Sequence, residues 1–115
     1  MQFLMIFTPT DATPPEPQVY AELARFGEES AKAGILVSTG GMFPSSFGAR
    51  VQLAKGKFSV TDGPFPESKE VMAGWAILNV GSKTEAIEVA QRFMTIAGEG
   101  ETEVRQLMDP PQQVS

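Results

Sequence analysis

The 115-residue sequence predicts an α+β fold of the ferredoxin-like kind, βαββαβ with an inserted β-hairpin. Three observations predict it. Two segments, Phe3 to Phe7 and Val71 to Val80, are apolar on both alternating faces, as central strands are. Two segments carry a 3.6-residue apolar stripe. Gly56 sits between two short alternating runs, a hairpin signature.

The elements follow in order. Phe3 to Phe7 is the first strand, closed by Thr8-Pro9, and the proline-rich Thr8 to Pro17 is a loop. A helix starts near Glu16-Pro17, with proline in its first turn. Val19, Leu23, Phe26 and Ala33 lie on one face, with Ser30 on the same stripe, and Gly34 is the stop. Ile35-Leu36-Val37 opens a second strand that runs toward Gly40-Gly41-Met42, and Pro44 to Gly48 is a loop. Ala49 to Ala54 and Phe58 to Thr61 form the hairpin, and Asp62 to Pro66 is dense turn chemistry. Within Val71 to Val80, Trp75 and Ile77 point one way and Gly74, Ala76, Leu78 and Val80 the other. Ser82-Lys83-Thr84-Glu85 is a capping box that opens a helix whose buried stripe is Ala86, Val89, Ala90, Phe93 and Ala97. Thr102 to Met108 alternates and is charged, which suits an edge strand.

Two helices cover one face of a sheet. The other face, with Trp75 or Leu78 on it, needs a cover, and in so short a chain a second copy in an isologous homodimer supplies it. The alternative is a monomer whose segment 40–66 folds over the sheet.

Composition removes several functions. The chain has no Cys and no His, so thiolate nucleophiles, His-based dyads and the usual metal ligands are absent; no metal and no cofactor are expected. Nine Lys and Arg against 14 Asp and Glu give a net charge of −5 with no basic stripe, which argues against nucleic-acid binding. The start lacks a basic segment and no apolar run approaches ~20 residues, so the expectation is a cytoplasmic protein with no membrane partner. Gly40-Gly41 lacks the rest of any phosphate-binding motif.

The segment Val60 to Glu70 contains Asp62-Gly63-Pro64-Phe65, then Glu67, Lys69 and Glu70. This block resembles the YCII-related family, in the branch named for its DGPF motif. Ala33-Gly34-Ile35-Leu36, Gly40-Gly41-Met42, Arg50-Val51, Gly74-Trp75 and Glu103-Val104-Arg105 are similar to it as well. The resemblance implies one domain over residues 1–109, a dimeric α/β barrel, with 110–115 a flexible tail. It also implies a link to small-molecule degradation, including dehydrochlorination of chlorinated aromatics. The His-Asp pair suspected as the centre of the founding branch has no counterpart in a chain without histidine.

Two functions are therefore expected as alternatives. One is a cofactor-free enzyme of isomerase, lyase or dehydrochlorinase type acting on a small organic acid or aromatic. The other is a non-catalytic dimeric module for a ligand or regulatory partner. In the first, Asp62 is the general base. Its other reading is a turn-capping carboxylate before Gly63-Pro64. Arg50, on the hairpin, and Lys69 are candidate anion-binding cations, and Glu67 shares the loop of Lys69. Arg50 has a structural reading too, as a partner for Asp62 across the hairpin. Met42, Phe65 and Trp75, with Phe43, are candidates to line an apolar pocket.

Overall fold

The computed structural model describes residues 1–109. The expected tail at 110–115 lies outside the described residues.

Among the described residues six strands and two helices run β1 (Gln2–Pro9), α1 (Pro17–Lys32), β2 (Leu36–Met42), β3 (Ala49–Ala54), β4 (Lys57–Asp62), β5 (Ala73–Asn79), α2 (Lys83–Ala97) and β6 (Gly100–Gln106). A short 3-10 turn, Ser45–Phe47, occupies the expected 44–48 loop. The main sheet has the order β2-β5-β1-β6 and is antiparallel throughout. With the hairpin β3–β4 set aside, this is the ferredoxin-like strand order, with the two doubly apolar segments in the centre.

Strand β1 shows why those segments are central. Phe3, Met5 and Phe7 are buried on one face, and Leu4 and Ile6 are half-buried on the other. On β5, Ala76 and Leu78 share the Phe3–Met5 face, in register with them, while Trp75 and Ile77 pair with Ile6 and Leu4. Helix α2 adds Ala86, Val89 and Ala90 to the first set, and Phe26 of α1 packs against it. Of the two residues that the sequence offers for the uncovered face, Leu78 is thus in the core at 1% exposure and Trp75 is on the open face. The slab measures 47 × 47 × 21 Å. Its 21 Å thickness accommodates one helix layer on one sheet and no third layer.

The ends are fixed locally. Gly34 takes a φ of +78° after α1, and its N–H donates to the Ala31 carbonyl at 3.0 Å. At α2 the Glu85 N–H donates to Ser82 Oγ at 3.2 Å, and Glu85 Oε2 accepts from Gly81 N–H at 2.9 Å. The return bond reaches one residue before the cap, a variant of the expected box. On β2 the register slips between Leu36 and Ser38, leaving Val37 bulged outward and 53% exposed.

The hairpin turns through Lys55 and Gly56, both at positive φ, which matches the twist of the strands. It forms a separate two-stranded arm. Val51 pairs with Val60 and Leu53 with Phe58, so these four share one face; Arg50, Gln52, Ser59 and Thr61 share the other. The four apolar residues are all more than 60% exposed.

Candidate functional site

The DGPF block is pinned by one segment that precedes it in the chain, the 3-10 turn with its cap at Gly48. Gly63 N–H donates to the Gly48 carbonyl at 2.9 Å, which seats the block against the end of the 3-10 turn. Ser45 Oγ accepts from Phe65 N–H at 3.1 Å and donates to the Glu70 carboxylate. The second oxygen of Glu70 accepts from Ser46 N–H at 3.2 Å. One glutamate therefore fastens the far end of the loop to the 3-10 turn.

The Ser45 hydroxyl, then the Ser46 amide, hold the Glu70 carboxyl below its ordinary value of 4.5. A depressed folded-state value means this clasp is present at neutral pH and is lost as pH falls below 4.5 and through the lowered value. Expected, then, is a loosening of residues 63–70 in mild acid, with the core intact. Amide NMR from about pH 6 down to about pH 3 tests it. Ser45→Ala should remove most of that pH response, whereas a response unchanged by the substitution would place its origin elsewhere.

This scaffold borders an open cleft of about 770 Å3. Its walls include Met42, Phe43, Ser45, Arg50, Phe65, Glu67, Lys69 and Thr8. Six of the eight site residues expected from sequence thus converge here: Arg50, Lys69, Glu67, Met42, Phe43 and Phe65. The Arg50 guanidinium carbon lies 3.8 Å from the Phe65 ring centroid, a cation–π stack. Arg50 also forms an ion pair with Glu67. Glu67's own backbone amide, then Arg50, hold its carboxyl below the ordinary range. Lys69 Nζ donates to the Thr10 carbonyl at 3.1 Å and enters no carboxylate pair among the described residues. The cleft therefore presents one neutralised cation, one open cation and an aromatic wall.

The expected Arg50–Asp62 pair is replaced by Arg50–Glu67. Thr61, not Asp62, is the register partner of Arg50, and Asp62 faces Ala49. Alternation along the strand puts the Arg50 and Asp62 side chains on opposite faces of the arm. Asp62 is exposed at the base of the hairpin and is absent from the cleft wall. Trp75 is absent from it too: it lies on the open sheet face beside Gly40, where a Cβ would come within 2.9 Å of the indole.

Ser45 and Thr8 were not legible as site residues. Ser45 is one serine in a loop, and its role appears only when the chain returns 20 residues later. Among the described residues no three carboxylates gather as a metal cluster.

A model of the YCII-related domain matches residues 1–109. The chain belongs to the YCII-related family. The match spans every described element, the DGPF clasp included. Over 61 residues this YCII-related chain is 30% identical to the ribosomal RNA small subunit methyltransferase H of Methylorubrum extorquens. That stretch is 53% of this chain and 17% of the methyltransferase, so the chain matches under a fifth of that relative's length. Among solved structures, the divalent cation tolerance protein CutA1 from Thermus thermophilus aligns with a TM-score of 0.46 and 7% identity, over 96% of this chain and 88% of that one. Among the described residues no helix is long and apolar enough to cross a membrane.

Proposed function

We propose that this YCII-related protein binds a small organic acid with an aromatic or apolar body in the Arg50–Lys69 cleft, and does so as a homodimer. The convergence of Lys69 and Arg50 with Phe65 and Met42 on one wall carries the reading. A carboxylate offered to Lys69 finds a cation held in no ion pair among the described residues, and its body finds an aromatic surface. Arg50 becomes available only when Glu67 yields it, so Glu67 tunes affinity.

The dimer is supported by the open face. Leu4, Ile6, Trp75 and Ile77 form an apolar centre there that one chain leaves only half-buried. Thr8, Met42, Ala73 and Glu101 belong to the same face by register and also line the cleft. A second sheet stacked on this face would supply the missing wall of an otherwise open site.

Conversion of the bound acid by a cofactor-free isomerase, lyase or dehydrochlorinase-type step is the second reading. Glu67 favours it as the base, since a ligand anion that takes Arg50 frees a carboxylate inside the cleft. Asp62, on the other face of the arm, supports it less.

Calorimetric titration with benzoate, salicylate and phenylacetate tests binding. Lys69→Met should weaken the best acid about tenfold or more, the scale of one charge-assisted hydrogen bond. Glu67→Gln should tighten it by releasing Arg50. Equal affinities in the wild type, K69M and E67Q would sink the assignment of the anion site.

A further inference from the structure

A second cavity, of about 200 Å3, lies on the covered side of the sheet beneath α1. Its wall includes Met5, Phe7, Leu23, Phe26, Leu78 and Phe93, and none of its lining residues is charged. No residue lines both this cavity and the cleft. Ser30, at 6% exposure, is the one buried polar residue among those described, and it lies on this wall.

Besides Gly40, where the Trp75 indole leaves no room for a Cβ, two glycines line the wall, Gly27 inside α1 and Gly74 inside β5. Neither is demanded by the backbone, since neither has a positive φ. A Cβ at Gly27 would meet only Leu36 Cδ2, at 3.9 Å, and one at Gly74 only the Gly40 carbonyl oxygen, at 3.9 Å. Both are ordinary contact distances, so alanine fits at each position. Yet glycine is disfavoured inside a helix and weakens a strand. Two elements therefore each carry a locally unfavourable residue, and what the missing methyls leave open is this cavity. Interiors are packed to crystal-like density with few voids larger than a water.

We propose that the cavity is a second ligand site, taking an uncharged apolar molecule the size of one substituted ring, with the Ser30 hydroxyl as its polar contact. The chargeless wall selects against the acids that suit the cleft, because a carboxylate buried without a partner is heavily penalised. The volume sets the size, since apolar cavities of about 150 Å3 admit benzene.

The proposal is tested on the full chain with toluene and phenol as probes, read by calorimetry and by the shift of the unfolding midpoint. Both should bind, and benzoate at high concentration should not displace toluene. Gly27→Ala with Gly74→Ala should raise the midpoint of the ligand-free protein and weaken toluene more than tenfold. Gly27→Ala alone, which suits a helix, should weaken it in the same direction and serves if the double variant folds poorly. Ser30→Ala should weaken phenol more than toluene. Absence of binding by both probes, or unchanged toluene affinity in the alanine variants, would overturn the site.

Discussion

Gly63→Ala should collapse the DGPF clasp. A Cβ at Gly63 would lie 1.7 Å from the Ser45 carbonyl oxygen and 2.6 Å from its carbonyl carbon. Both are backbone atoms of the 3-10 turn, so no side chain can swing aside to make room. Overpacking against movable side chains costs roughly 1–3 kcal/mol, and a backbone contact this close belongs at or above the top of that range. For a domain of this size that corresponds to a fall in the unfolding midpoint of about 10 °C. Because Ser45 also holds Phe65 and Glu70, acid binding in the cleft should fall with it. Thermal unfolding and the benzoate titration read the two consequences separately. A variant whose midpoint stays within about 2 °C of wild type would show that the turn yields freely.

The second large effect concerns Ile77. It stands at the middle of the open face, between Leu4 and Ser38 in register. Ile77→Asp would place a carboxylate at the centre of the proposed stacked sheets, with Leu4 between it and Arg105 of β6, a cation already paired with Glu103. Desolvating an unpaired charge costs several kcal/mol, enough to weaken association by about a hundredfold or more. Light scattering should then move from twice 12.4 kDa to 12.4 kDa, with far-ultraviolet circular dichroism unchanged. A wild-type protein already at 12.4 kDa at micromolar concentration would contradict the dimer itself.

The fold was legible because its signals are local or periodic. The doubly apolar Phe3 to Phe7, the Ser82–Glu85 box and the Lys55-Gly56 turn each announce their element within a few residues. The site was legible in part. Arg50, Glu67 and Lys69 could be nominated as charges flanking a turn-rich loop, and they do meet. The partnership between Arg50 and Glu67 was hidden, because it depends on how the 63–72 loop folds back across the arm. The expected Arg50–Asp62 pair does not form. Proximity across the hairpin suggested a pair, but the alternation of strand faces separates these two side chains. Ser45 carried no signal, since its three-way role exists only once distant segments are in place.

The bulge at Val37 bears on how the proposed homodimer can form. Strand edges offer unpaired amides to any passing strand, and a chain with open edges adds copies without limit. Here the β2 edge is kinked at Val37 and weakened by Gly40-Gly41, and the β6 edge carries Glu101, Glu103 and Arg105. Edge-to-edge growth into ribbons is discouraged on both sides. In the proposed homodimer the contact runs through the open face, which two copies satisfy mutually and then exhaust. The same irregularity that disturbs one strand thus suits the proposed pairing of two copies.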